Sequence, residues 1–282
     1  LKRIAHLVAL LAALVSLPSA ARAEDAKRAL VLGSTTSVRD SGLMDELLPL
    51  FENTTGIHVQ LVAVGSGAAL KMGEDGNADV LVTHEPDGER ALVEKGALVD
   101  HRAFMENFFL IAGPAEDPAG IATAKSAAEA IARIAKKPAP FVSRGDDSGT
   151  HKREQALLEQ AGLDANASWP GLVRTGQGMG ATLQVAGEKR AYVLSDRATF
   201  QTFEARTQLA PVFAEKTADL RNVYAVSRPN PAKFPAGRVD VAGAERFAAF
   251  LTSPAVAERI RVFGAKDGAP LFTPLAAGAA VK

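Results

Sequence analysis

The chain has 282 residues, 47% of them apolar, with 32 basic and 32 acidic side chains and no cysteine. That is enough material for one large buried core or two smaller ones. A formal net charge of zero excludes the basic excess of nucleic-acid binders. It does not exclude a small-anion site, because helix dipoles and N–H donors hold anions without net charge.

Lys2 and Arg3 precede an apolar run from Ile4 to Leu17, and Pro18-Ser19-Ala20-Ala21-Arg22-Ala23 ends in an Ala-x-Ala pattern. This is the layout of a secretory signal peptide over residues 1–23, with cleavage expected after Ala23. The run is too short to span a bilayer comfortably. Without a cysteine near the cleavage site, no lipid anchor is expected there. An exported chain of this size needs no disulfides if its core suffices. The expectation is a freely diffusing periplasmic protein.

Ala29-Leu30-Val31-Leu32 reads as a buried strand. Leu43, Leu47, Leu50 and Phe51 recur at helical spacing, predicting one helix from Ser37 to Phe51. A strand over His58 to Val64 leads into a short helix around Ala68–Met72. A third strand at Ala78–Val82 precedes a helix near Gly88–Lys95. Alternating strands and helices predict a mostly parallel sheet with helical cover.

A strand at Asn107–Ile111 opens a second array. It continues with a helix around Ala127–Lys136, a strand at Phe141–Ser143 and a helix from Ser148 to Gln160. A helix over Gly178–Glu188 and a strand at Ala191–Leu194 follow. Asn222–Val226 returns the chain to the first array, completed by helices around Val241–Leu251 and Pro254–Phe263. The organisation expected is one lobe from residues 24–107 and 223–282 and a second from 108–222, joined by two strand-like crossings. The Ala- and Gly-rich stretch after Pro274 is expected to fray.

Three strand-to-helix junctions share a composition: Gly33-Ser34-Thr35-Thr36-Ser37, Gly65-Ser66-Gly67, and Ser143-Arg144-Gly145-Asp146-Asp147-Ser148-Gly149-Thr150. A helix N-terminus offers free N–H donors and roughly half a positive charge. Glycine allows close approach, and hydroxyls add donors without charge. Taken alone, the second junction reads as a helix cap, and the first divides evenly between cap and ligand site. The third differs, because Arg144 adds a planar fork suited to an oxyanion. Its competing partner is Asp146 or Asp147. A fourth glycine-rich turn, Gly176-Gln177-Gly178-Met179-Gly180, lacks dinucleotide-loop spacing, and no strand is expected directly before it. Trp169 and Tyr192 read as core or cleft wall.

Ser34-Thr35-Thr36-Ser37 with Asp40-Ser41-Gly42-Leu43, Val62 to Gly67, Ser143 to His151, Gly176 to Gly180 and Asp196-Arg197 together resemble the TupA family of tungstate-binding proteins. That resemblance implies an α/β fold of the two-lobed type II periplasmic binding-protein kind, with a ligand cleft between the lobes. It implies a monomeric substrate-binding protein of an ABC importer, with tungstate or molybdate as ligand and a membrane permease as partner. No catalysis, cofactor or resident metal is expected. Carried over residue by residue, it implies anion contacts from Thr36 and Ser37, from Ser66, and from Arg144, Ser148, Gly149 and Thr150. Thr35 and Met179, at the first and fourth junctions, complete the candidate set. Ser34, Ser66 and Ala198 depart from the residues usual in the family, the first two keeping a hydroxyl.

Tungstate and molybdate carry no proton near neutral pH and need donors only, whereas phosphate benefits from a carboxylate acceptor. Asp146, Asp147 and Asp79 are candidates for one, so a phosphate- or sulfate-binding importer component is the alternative. A sensor built on the same lobes is a further reading. From another class, an exported phosphate-ester hydrolase would use His84 or His151. No H-E-x-x-H spacing or G-x-S-x-G elbow supports it.

Overall fold

The computed structural model describes residues 28–137, 139–164, 166, 168–265 and 270–276. The expected signal peptide and most of the stretch expected to fray lie outside these residues. Among the described residues, no helix is long and apolar enough to cross a membrane.

The first array starts with β1 (Leu30–Thr35), α1 (Thr36–Asp40), α2 (Leu43–Thr55), β2 (Val59–Val64), α3 (Ser66–Glu74), β3 (Val80–Thr83) and α4 (Pro86–Glu94). β1 lies between β2 and β3 and is parallel to both. The helix expected from Ser37 to Phe51 is two helices. Gly42 sits between them at φ 79°, a left-handed conformation that ends regular winding and that glycine adopts at little steric cost. Leu43, Leu47 and Phe51 then share one buried face of α2.

The chain crosses to a second array on β4 (Leu98–Gly113), a 16-residue strand much longer than the expected Asn107–Ile111. Its near half pairs antiparallel with β9 (Arg221–Pro229), and its far half with β7 (Tyr192–Asp196). Two register shifts fall in the near half and interrupt the alternation that marks a strand in sequence. The second array contains α5 (Ala127–Lys136), β5 (Phe141–Ser143), α6 (Gly149–Gln160), β6 (Leu172–Arg174), α7 (Met179–Glu188), β7, α8 (Arg197–Thr207) and β8 (Ala210–Phe213). After β9 come α9 (Val241–Leu251), α10 (Pro254–Val262) and β10 (Thr273–Pro274).

The sheet order is β2-β1-β3-β9-β4-β7-β5-β6, with β8 and β10 also pairing β4. β5 is parallel to β6 and β7, so the second array repeats the build of the first. One apolar cluster joins Leu30, Phe51, Tyr224 and Phe247 on the first-array side. Two others, around Phe141 and Leu157 and around Val142 and Leu183, serve the second. β6 corrects one expectation: a strand does precede the Gly176 turn. At three residues it is too short to show a period.

Candidate functional site

In a parallel sheet the carboxyl ends of the strands share an edge, and helices leaving that edge aim their N-termini at it. β1 passes directly into α1 at the hydroxyl-rich Thr35–Thr36 step, and β2, β5 and β6 lead through Gly- or hydroxyl-rich turns into α3, α6 and α7. The two pairs of N-termini face one another. The N–H of Gly149 donates to Ser66 Oγ at 3.1 Å. A Cβ placed on Gly178 would lie 3.2 Å from Thr36 Cβ. Thus 83 residues of separation close into one cluster.

Arg144 lies at the centre, 1% exposed. Its Nε donates to Gln177 O at 2.8 Å and its Nη2 to Thr36 Oγ1 at 3.4 Å. Nη2 also pairs with the Asp146 carboxylate. The ion pair offsets the large desolvation penalty of a buried guanidinium. Among the described residues, Nη1 has no hydrogen-bond partner, and neither has the buried hydroxyl of Thr150. Buried polar atoms are nearly always satisfied, so two orphans in one cluster mark bonds held for something else.

The other candidate residues divide by what their side chains already do. Thr35 caps α1, accepting from Val38 N at 3.3 Å. Ser148 caps α6, accepting from His151 N at 3.3 Å, and donates to Asp146 Oδ1 at 2.7 Å. Ser37 is buried, and its carbonyl accepts from Thr199 Oγ1 at 3.3 Å. The Met179 side chain packs in the apolar core with Leu183 and Val193, leaving only its backbone at the start of α7. Ser34, buried beside them, is committed to Val82 O at 2.8 Å.

The three carboxylates proposed as phosphate acceptors separate clearly. Asp79 precedes β3, at the opposite edge of the sheet, where it accepts from Val31 N and Asp240 N and pairs with Arg28. Asp147 is exposed with φ 59°, and its N–H donates to His151 Nδ1 at 3.1 Å. Only Asp146 reaches the cluster, and both its oxygens are occupied by Ser148 and Arg144.

His84 is buried, with Nδ1 3.0 Å from Asn222 Oδ1 and its ring 4.8 Å from that of Tyr224. Burial pushes its pKa below the usual histidine value. It belongs to a polar chain at the crossing. Asn222 Nδ2 donates to Asn107 Oδ1 at 2.8 Å, and Asn107 Nδ2 to Asp196 Oδ1 at 3.3 Å. This chain links the crossing strands β4 and β9 to the Asp196 cap of α8. His151 is half-buried and its pKa is likewise lowered, chiefly by burial. Among the described residues, no cluster of three or more His, Asp or Glu could hold a metal ion.

Three further contacts between the arrays escaped sequence reasoning. The N–H of Gly180 donates to Asp40 Oδ2 at 3.1 Å. Lys152 Nζ pairs with Glu85 Oε1 at 2.9 Å. α8 packs on α1 through the Thr199 bond to Ser37. Asp40 and Gly180 stand within the motifs that resemble the TupA family, and that was their only signal.

Opposed helix N-termini in a cleft between two α/β arrays define a class, the binding proteins that enclose a small solute. The PBP superfamily domain matches residues 20–255, and the chain belongs to that superfamily, with the two-lobed type II build. Within it, the chain belongs to the family of the TupA proteins. It is 40% identical over 255 residues to the tungstate-binding protein TupA of Peptoclostridium acidaminophilum, covering 89% of this chain and 87% of that protein. It is 43% identical to the solved tungstate ABC transporter protein of Geobacter sulfurreducens, with a TM-score of 0.72 over 82% of this chain and 97% of that one. The tungstate-binding protein TupA of Desulfovibrio alaskensis G20 is 40% identical, with a TM-score of 0.72 over 88% and 99% of the two chains. These relatives are named as binding and transport proteins, not as enzymes.

Proposed function

We propose that this chain is the periplasmic substrate-binding component of an ABC importer and that it captures tungstate, with molybdate as the nearest competitor. The observation that carries this is Arg144, a buried guanidinium paired with Asp146 but with one nitrogen unpartnered among the described residues, close to hydroxyl and N–H groups from both arrays. The family membership supports the choice of ligand. In this reading the protein is exported by residues 1–23 and works as a monomer. Residues 24–107 with 223–282 and residues 108–222 act as lobes that close on the anion and present it to a membrane permease.

The anion is held by the N–H groups of α1, α3, α6 and α7 and by Thr36, Ser66, Thr150 and Arg144. Thr35 and Ser148 shape the helix starts, and Met179 contributes its backbone. About six to eight charge-assisted bonds of ~1.5–3 kcal/mol each, set against desolvation, support micromolar to nanomolar affinity, or roughly −8 to −12 kcal/mol net. No reaction step and no cofactor is required.

Phosphate is the second reading, and Asp146 weighs against it. A bound hydrogen phosphate needs an acceptor for its proton; Asp146 Oδ1 already accepts twice from Ser148, and Oδ2 is engaged by the Arg144 guanidinium, which makes it a poorer acceptor. A fully deprotonated oxyanion makes no such demand.

Thermal-shift screening against tungstate, molybdate, sulfate and phosphate tests the assignment. Ligand at 100 times its dissociation constant adds about 2.7 kcal/mol. Tungstate and molybdate are expected to raise Tm, and phosphate not to. Calorimetry of Arg144→Ala is expected to show at least about tenfold weaker tungstate binding, from loss of one bond to a charged group. Unchanged affinity would remove Arg144 from the site, and silence from all four anions would remove the function.

A further inference from the structure

Beside the Arg144 cluster lies a cavity of about 180 Å³ that the site does not use. Its walls come from the β3–α4 turn, the crossing strands β4 and β9, and one face of α6. On α6 the facing residues are Gly149, Lys152, Arg153 and Ala156, the i, i+3, i+4, i+7 stripe of a single helix side. The opposite side of α6, with Thr150, Glu154, Leu157 and Leu158, is buried. Arg221 of β9 adds a third cation to the walls, against the two carboxylates of Glu85 and Asp87.

These cations are not equivalent. Lys152 is paired with Glu85 at 2.9 Å, and Arg221 with Glu106 at 2.6 Å. Arg153 lines the cavity and forms no hydrogen bond or ion pair with any described residue. Asp219 and Asp87 act on it only through space, and its burial pushes its pKa below the usual arginine value. A guanidinium nevertheless stays protonated in a protein. Arg153 is therefore a partly desolvated positive charge facing open space.

Gly149 is the wall shared by cavity and cluster. Its N–H reaches Ser66 on the cluster side, and it lines the cavity on the other. A Cβ there would stand 3.0 Å from both Ser66 Oγ and the His84 carbonyl oxygen. Gly149 therefore packs closely against both groups and forms one thin wall between the two spaces.

We infer that this cavity is a second, weaker anion subsite, in which Arg153, helped by Lys152, holds a tetrahedral oxyanion beside the Gly149 wall before it reaches the site centred on Arg144. The inference rests on the oxyanion reading above. A charge lining a concave, low-dielectric opening concentrates counter-ions and raises association rates, and it does so less as salt screens it. Arg153 thereby governs how fast the anion arrives more than how tightly it is finally held.

Stopped-flow association of tungstate at several ionic strengths, with calorimetry for Kd, tests this on the full mature chain. For Arg153→Gln, the association rate at low salt is expected to fall about three- to tenfold. Its salt dependence is expected to become shallower, while Kd changes by less than about threefold because dissociation slows with it. Asp219→Asn, which removes a neighbouring negative charge, is expected to raise the association rate and guards against a misfolded Arg153 variant. An unchanged association rate and salt slope in both variants overturns the subsite. So does a loss of affinity confined to the dissociation rate, which would put Arg153 in the tight site instead. If tungstate does not bind the unmodified protein, it is the oxyanion reading that fails.

Discussion

The N–H of Gly149 and the Oγ of Ser66 are hydrogen-bonded at 3.1 Å, with both residues buried. Gly149 opens α6 in the second array, and Ser66 opens α3 in the first. The bond therefore brings two helix N-termini together and leaves the Ser66 hydroxyl proton free for a ligand. Ser66→Ala strands the Gly149 N–H and deletes that donor. Calorimetry is expected to show tungstate affinity reduced by roughly 1.5–3 kcal/mol, the value of a hydrogen bond to a charged group. Wild-type affinity in the variant would mean that the bond is only a closure contact.

Gly149→Ala tests the same meeting point by filling it. The residue is the first in α6, and the helical backbone accepts alanine. The new methyl would press on the His84 carbonyl oxygen and Ser66 Oγ, each 3.0 Å away. Backbone carbonyls give way less readily than side-chain ends. The variant is expected to keep its far-ultraviolet circular dichroism and to bind tungstate at least about tenfold more weakly, a loss of ~1.4 kcal/mol or more. Intact affinity would show that the arrays have room to spare at this contact.

Much of this arrangement was legible in local sequence, for a physical reason. Strand, turn and helix start are short-range choices, so Phe141 to Gln160 declares a strand, a donor-rich turn and a helix without outside help. Gly42 was equally local but was masked by the apolar repeat running through it. β6 and α8 were missed on different grounds. β6 has three residues, and α8 buries Ala198, Thr199 and Phe200 in succession rather than at helical spacing. Long-range side-chain pairing leaves no trace in local periodicity. Asp40 and Gly180 are 140 residues apart, and nothing near either residue announces the other. The occupancy of Asp146, which bears on ligand choice, is also a property of the fold. The sequence shows three nearby candidates for a proton acceptor and cannot rank them.

Asp40 caps α7 from across the cleft, accepting from Gly180 N at 3.1 Å. A carboxylate at a helix N-terminus is favoured by about 0.3–1 kcal/mol when exposed and up to ~2 kcal/mol when partly buried. That energy exists only while the arrays are together, so it biases the ligand-free protein toward closure. Asp40→Ala is expected to enlarge the ligand-free radius of gyration in small-angle scattering, with tungstate restoring the compact value. Identical scattering from both proteins without ligand would show that Asp40 does not hold the cleft shut.

Glu154 ties stability to pH. It is 3% exposed on the buried face of α6, and burial pushes its carboxyl up from 4.5 to about 7. Between those values the folded protein keeps a proton that the unfolded chain has released. The stabilisation is thus fully present below pH 4.5 and is lost as pH rises through about 7. Its full span is on the order of 3 kcal/mol. Glu154→Gln keeps the shape and removes the titration. In urea denaturation without ligand, its advantage over the wild type is expected to grow from pH 5 to pH 8, while groups common to both contribute equally. Thr150 lies one helical turn from Glu154 on the same face, so ionisation of Glu154 also repels an anion bound there. Tungstate affinity is expected to fall between pH 6 and pH 8 in the wild type and to stay flatter in Glu154→Gln. Parallel stability curves for the two proteins would show that Glu154 does not titrate in this range.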